Sequence, residues 1–224
     1  MAPKLNWNKA VENAVKRYGR PIESKTKRMF EEKGISYPPQ DIALLAFKKE
    51  QKIQLWAKDD DHSWRKVHTY PLTAYSGRLG PKLRENDRQI PEGIYRLVSF
   101  NPFSSMHLSM MINYPNHFDR LQASKEGRRK LGNNIFLHGK DFSVGCLAVG
   151  DKAIDQLFLI AYRVGLNHIR LIIAPNDLRV SKPETPAFAQ PHWIPELYDQ
   201  IAKELSNYPS LVFRSNHKDS GRIT

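Results

Sequence analysis

The apolar residues of this chain change their period twice, and those two changes limit the fold more than any other feature. Over residues 8–33 the spacing is helical. Val11, Val15 and Tyr18 stand four and three apart, which makes one modest apolar stripe. Gly19-Arg20-Pro21 is expected to break it, with Ser24 capping a second helix that runs to Glu32 and stops at Gly34. Tyr37-Pro38-Pro39 reads as a linker. From Asp41 the period becomes two. Ile42 to Phe47 is an apolar run, and Ile53, Leu55 and Ala57 alternate with Lys52, Gln54 and Lys58. The two segments read as a hairpin turning at Glu50-Gln51. Asp59-Asp60-Asp61 is a second turn, and Trp64 to Thr73 is a third strand. Ile94–Phe100 and His107–Tyr114 are further strands, and Asn133 to Leu137 is a short one that delivers His138-Gly139. After Cys146 the helical period returns, with Ile154, Leu157, Phe158 and Ala161 on one face, Asp151 as N-cap and Gly165 as the stop. Ile169–Ala174 is a strand, and Trp193, Leu197 and Ile201 mark a last helix from Pro191 to Leu205. The fold class expected is α+β and strand-rich, with a helix inserted late. Residues 1–38 form a helical N-terminal extension, 39–176 the main domain, and 177–224 a C-terminal extension with one helix.

Composition narrows the chemistry. With 224 residues the chain fits one domain plus extra segments. One cysteine, Cys146, excludes an internal disulfide framework and a Cys-rich zinc module. No apolar run approaches the roughly 18 residues of a membrane-spanning helix. The start, Met1-Ala2-Pro3-Lys4, lacks the apolar core of a signal peptide, so the chain reads as cytoplasmic or as a mature or trimmed form. Lys and Arg number 35 against 23 Asp and Glu, a net +12. Residues 1–34 hold nine basic and four acidic groups, or +5. An excess of this size points to an anionic partner or simply to a well-solvated surface. The tightest basic cluster is Lys125, Arg128, Arg129 and Lys130. No aromatic residue interleaves it as base stacking would need, so nucleic acid is not expected as a partner.

The segment His138-Gly139-Lys140-Asp141-Phe142-Ser143-Val144-Gly145-Cys146 carries the chemistry. A thiol at its ordinary pKa of roughly 8.5 is mostly protonated near neutrality, and a neighbouring imidazole can take its proton. Gly145 lets the backbone approach closely. The N–H groups of Gly145 and Cys146 can line an oxyanion hole. Read without further context, Cys146 is equally a small buried hydrophobe and His138 a satisfied polar group. A zinc set of Cys146, His138, His107 and His117 matches no ligand spacing and lacks a second thiolate.

An ordered series of motifs carries a resemblance. Phe47-Lys48-Lys49-Glu50 is followed by Tyr75-Ser76-Gly77-x-Leu79-Gly80-Pro81-Lys82, Asp87 and Pro91-Glu92-Gly93-x-Tyr95. Ile112-Asn113-Tyr114-Pro115-Asn116, Asp119-Arg120, His138-Gly139 and Ser143-x-Gly145-Cys146 complete the series. Over residues 40–175 the chain resembles an L,D-transpeptidase catalytic domain of the YkuD type, and more narrowly its YafK-like branch, which Trp193 also suits. The resemblance implies a YkuD-like β-sandwich with an inserted helix. It implies a cysteine acyltransferase or hydrolase acting on peptidoglycan stem peptides through a thioester, at the L-centre of meso-diaminopimelate. Cys146 is then the nucleophile and His138 the base and later acid. Gly139 orients the His, Ser143 supports the loop or the His, and Gly145 with Cys146 holds the oxyanion. Three departures stand out: a short His-to-Cys spacing, Val144 where many members have His, and Ala148 where many carry an Arg that engages a substrate carboxylate. The substrate-binding set expected in its place is Lys82, His107, Tyr114 and Arg120, with the 125–130 cluster as a further source of charge.

The partners implied are stem peptides and, if the enzyme releases a lysine-linked protein, a wall-anchored lipoprotein. No cofactor or metal is implied, and the expected location is periplasmic or exported, in a bacterium. Alternatives are a wall-targeting toxin of the same fold, delivered to other cells, and a basic peptidoglycan-binding module without catalysis.

Overall fold

A computed structural model describes residues 6–58, 61–184 and 190–210. The N-terminal segment is one helical path. Helix α1 spans Trp7–Ala14, a π-helical turn follows over Val15–Gly19 and a 3-10 turn over Arg20–Ile22, and α2 spans Glu23–Glu31. Gly19-Arg20-Pro21 therefore changes the winding of the path without ending it. Ser24 lies inside α2, whose N-cap is Ile22 with no side-chain bond.

The sheet follows the two-residue period. Strand β1 (Asp41–Phe47) pairs antiparallel with β2 (Lys52–Lys58), and β2 with β3 (Trp64–Pro71). Of the expected aspartate turn, only Asp61 lies within the described residues. Strands β4 (Gly93–Asn101), β5 (Ser109–Ile112), β6 (Phe136–His138), β7 (Leu147–Ala148) and β8 (Ile169–Ala174) complete the order β3-β2-β1-β8-β4-β5-β6-β7. β8 lies parallel to β1 and antiparallel to β4. β4 serves both halves. Its first residues, Gly93–Arg96, pair with β8, and Leu97–Asn101 pair with β5 across an irregularity at Leu97/Ser99.

Alternation decides what each face covers. From β1, Ile42, Leu44 and Ala46 enter the main core with Leu171 and Ile173 of β8, Met110 and Ile112 of β5, and Leu137 of β6. Helix α4 (Asp151–Val164) closes that core with Ile154, Leu157, Phe158 and Ala161, the stripe expected from its period. Ala43, Leu45 and Phe47 point the other way and pack on α5 (Ile194–Leu205) through Leu197, Tyr198 and Ile201. Because β1 is buried on both faces, its sequence is a continuous apolar run. Gly165 caps α4 at φ +90° as expected. The N-cap of α4 is Gly150, without a side-chain bond, and Asp151 accepts instead from the Lys140 N–H at 2.8 Å.

Helix α3 (His117–Lys125) has no counterpart in the expected elements. A capping box starts it, with Asn116 and Asp119 bonding each other's backbone N–H. The Tyr95 hydroxyl donates to Asp119, and burial lifts that carboxyl to about 6.

Two extended arms tie the 75–92 loop to the core. Lys48 and Glu92 are fully buried and meet at 2.9 Å. Lys48 Nζ also donates to Gly80 O at 2.7 Å and Ile90 O at 2.9 Å. Glu92 accepts from the Gly80 N–H at 2.7 Å and from the Tyr198 hydroxyl of α5 at 2.9 Å.

Candidate active site

β6 and β7 form the end of the sheet and bring the segments of His138 and Cys146 side by side. They run parallel, with Leu137 opposite Leu147 and His138 opposite Ala148. That register puts His138 and Cys146, the residue before β7, on one face of the pair. His138 is buried at 4% exposure, held in the ladder by β5 (Ser109 opposite His138) and by the Val149 N–H on its carbonyl.

Backbone restraint fixes the loop between them. A Cβ on Gly139 would stand 2.7 Å from Asp151 Oδ1 and 2.9 Å from Met106 O, so no larger residue fits there. Gly145 sits at φ +99° with its would-be Cβ 3.1 Å from Gln89 O. Ser143 Oγ donates to Cys146 O at 2.7 Å. The Gly145 N–H donates to Ser76 Oγ at 2.7 Å, and the Ser76 and Ser143 hydroxyls are 3.1 Å apart. Since Ser143 spends its proton on a carbonyl, Ser76 donates to Ser143. Ser76 is thus the keystone of the loop. The sequence shows it only as part of Tyr75-Ser76-Gly77, 69 residues before Gly145.

His138 Nδ1 lies 2.6 Å from Gly139 O. A carbonyl only accepts, so Nδ1 carries the proton and Nε2 presents a lone pair. Burial lowers the His138 pKa, which the bond to Gly139 opposes. Burial raises the Cys146 pKa, against the pull of the Phe136 N–H and the charge of Lys82. The Phe136 N–H reaches Cys146 Sγ at 3.4 Å. Both shifts favour uncharged partners at rest, a thiol and an imidazole. That arrangement suits proton transfer at the moment of attack rather than a standing ion pair.

Cys146 and His138 border one groove of about 460 Å³. Met106, Phe136 and the exposed Phe142 and Val144 give it apolar walls, and Ser104 and Ser105 add hydroxyls. Apart from His138 its wall contains no titratable cation among the described residues. A larger cleft of about 590 Å³ near Asp41 and Tyr208 is lined by no Cys, Ser or Thr among the described residues, and its His168 and Arg170 pair with Asp41 and Glu204.

The expected substrate-binding residues fare differently. Lys82 is buried at 6% exposure and committed to Asp87 and Arg84 O, so its charge acts on Cys146 only through space. Tyr114 is buried, and its hydroxyl donates to Lys82 O and Leu131 O. His107 is not on a strand. It precedes β5 at φ +72°, pairs with Asp155 at 2.6 Å and meets the Tyr18 ring, away from the groove. Arg120 is exposed on α3 and does not line the groove. The Gly145 N–H, taken by Ser76, is not free for an oxyanion. Ala148 is fully buried in β7, where a long cation has no room. Of the basic cluster, Arg128 pairs with Glu126, which also accepts from Trp193 Nε1 at 2.7 Å. Among the described residues no three His, Cys, Asp or Glu side chains form a metal-ligand group, and no helix is long and apolar enough to cross a membrane.

Comparison with known proteins identifies the family and the fold. The model of the YkuD family, the L,D-transpeptidase catalytic domain, matches residues 41–165. YafK of Escherichia coli (strain K12), a candidate L,D-transpeptidase, is 32% identical over 119 residues, 52% of this chain and 46% of its own. The corresponding protein of Escherichia coli O157:H7 gives the same figures. The chain therefore spans about half the length of the curated relatives it matches. Among solved structures, the helical cell shape determining protein Pgp2 from Campylobacter jejuni shares the fold. A single-substitution mutant of it superposes with a TM-score of 0.51 at 19% identity, covering 75% of this chain and 53% of that chain. The unsubstituted protein gives 0.50 at 19%, covering 74% and 53%. With its strand-rich α+β architecture and a family match over more than half its length, the chain belongs to the YkuD family of L,D-transpeptidase catalytic domains.

Proposed function

We propose that this chain is a cysteine acyl-transfer enzyme that processes peptidoglycan stem peptides through a thioester on Cys146. The observation that carries the reading is the shared face of Cys146 and His138 at one groove, with the imidazole tautomer set by Gly139 O. His138 Nε2 takes the thiol proton as sulfur attacks the carbonyl on the L-centre of a diaminopimelate residue. The Cys146 N–H faces the developing oxyanion. The imidazolium then protonates the departing amine as the carbon–nitrogen bond breaks, leaving the acyl group on sulfur. An amine or a water gives its proton to His138 and takes the acyl group, and the thiol returns. Ser76, Ser143 and Gly145 hold the loop, and Lys82 biases the sulfur toward its charged form. Residues 39–176 are the catalytic unit, and 1–38 and 177–224 flank it. Such a substrate places the enzyme at the cell wall.

The test is digestion of purified sacculi followed by mass spectrometry of the muropeptides, with wild type and Cys146→Ala. The expected result is a changed profile with wild type, none with Cys146→Ala, and an acyl adduct on wild-type Cys146 after carbapenem treatment. New cross-links mark transpeptidation, and loss of a lysine-linked product marks hydrolysis. Full activity in Cys146→Ala refutes the thioester.

A further inference from the structure

The groove at Cys146 has a neighbour. Phe103, 60% exposed, lines it on one side and lines a second cleft of about 450 Å³ on the other. The far wall of that second cleft is the N-terminal helix, with Lys9, Asn13, Arg17 and Tyr18 facing Pro102 and Phe103. Resting on the reading above, we propose that the two clefts form one continuous substrate path, and that the second takes a carboxylate of the extended peptide through Arg17.

Four observations support this assignment. Among the described residues the lining of the groove at the thiol holds no cation apart from His138, and the Lys140 ammonium at its rim is bonded to Ser105 O, whereas a stem peptide carries carboxylates outside the scissile unit. Arg17 is exposed and, among the described residues, has no carboxylate partner. Its guanidinium lies 5.1 Å from the centroid of the Tyr18 ring. Lys9 adds a second cation, shared loosely with Glu12 at 3.5 Å, in a segment of net +5. The platform is also rigid. Tyr18 meets His107 edge to face at 4.6 Å, and His107 is held by Asp155 of α4.

Arg17 sits inside the π-helical turn Val15–Gly19, whose wider winding spaces its side chains differently from those of a continuous α-helix. Gly19 lets the turn seat directly on α4, since a Cβ there would stand 3.0 Å from Leu159. A guanidinium binds a carboxylate through two parallel hydrogen bonds. Phe103 covers an aliphatic segment of the chain between the clefts.

The test compares two synthetic peptides, alike except that the carboxylate outside the scissile unit is free in one and amidated in the other. Wild type is expected to favour the free carboxylate by about 10- to 100-fold in kcat/KM, the range of a charged hydrogen bond. Arg17→Gln is expected to bring that ratio close to one, and Arg17→Lys to keep part of it. A ratio near one in wild type, or a preference that survives in Arg17→Gln, overturns the proposal. If wild type turns over neither peptide and forms no acyl adduct, the catalytic reading fails on its own. Calorimetric titration of the free-carboxylate peptide into Cys146→Ala, with and without Arg17→Gln, then decides the cleft. Binding lost with Arg17 supports it, and binding indifferent to Arg17 or to the carboxylate overturns it.

Discussion

Glu92→Gln keeps the shape of a fully buried side chain and deletes its charge, which makes it a sharp test of how the 75–92 loop is held. Lys48 Nζ lies within 2.9 Å of Glu92, Gly80 O and Ile90 O, and neither charged side chain has any solvent exposure. A glutamine can still accept from Lys48 or Gly80, and the Tyr198 hydroxyl can turn to accept from its amide, so most hydrogen bonds survive. What remains is an ammonium in the interior with no counter-charge. Removing one partner of such a pair typically destabilises by about 3–5 kcal/mol. The retained bonds place the expected loss near the lower end, about 3 kcal/mol. The pH dependence comes from Lys48. Burial lowers its pKa from the ordinary 10.5, while Glu92 pulls it up. Between the lowered folded value and 10.5 the unfolded chain binds more protons than the folded one, so stability rises with pH in that window. Without Glu92 the folded value falls further and the window widens. The loss in Glu92→Gln is therefore expected to be full near pH 7 and smaller near about pH 9.5. Urea unfolding followed by tryptophan fluorescence at both pH values measures it. A loss below about 1 kcal/mol near pH 7, or one that does not shrink near about pH 9.5, would refute the reasoning.

Ser76→Ala should lower kcat about ten-fold, because the Gly145 N–H and the Ser143 hydroxyl lose their partner and the loop before Cys146 loosens. A kcat equal to wild type in the muropeptide assay contradicts that. Alkylation of Cys146 by iodoacetamide is expected to be slow near pH 7 and to keep rising past the ordinary thiol value of about 8.5, since burial pushes the thiol up and only its ionised form reacts. A rate already level below pH 7 would show a standing thiolate and remove the general-base role from His138.

The parts of the fold that are legible in the sequence are those with a strong period. β1, β2, β8 and the buried face of α4 follow from alternation or from i, i+3, i+4 spacing. Helix α3 does not, because Phe118, Leu121 and Ala123 make a weak stripe. Its one local signal is the Asn116–Asp119 box. β7 has two residues and exists through its pairing with β6 and a bridge from Ala148 to Ala74, contacts distant in sequence. Cys146 and His138 are legible as chemistry. The roles of Ser76 and Lys82 are not, since both depend on contacts made in three dimensions. Ser76 meets a loop far along the chain, and Lys82 reads as a substrate-binding or solvated cation, whereas Asp87 and the Tyr114 ring enclose it. His107 reads as a strand residue facing the groove. Its left-handed backbone turns it toward α4 instead.

The position of β8 has a consequence for how the molecule is assembled. The first three strands can pair among themselves as soon as they leave the ribosome, and β4 to β7 can pair among themselves later. The two groups meet in the sheet through residues 169–174, which slot between β1 and β4, and otherwise only through a single bridge of Ala74 with Ala148 of β7 among the described residues. Until that strand arrives both half-sheets carry an open edge, the feature that invites wrong pairing with other chains. β8, the last strand among the described residues, is therefore the main seam of the sheet. A chain cut before Ile169 would keep only the Ala74–Ala148 bridge between its two half-sheets, although it still contains both Cys146 and His138.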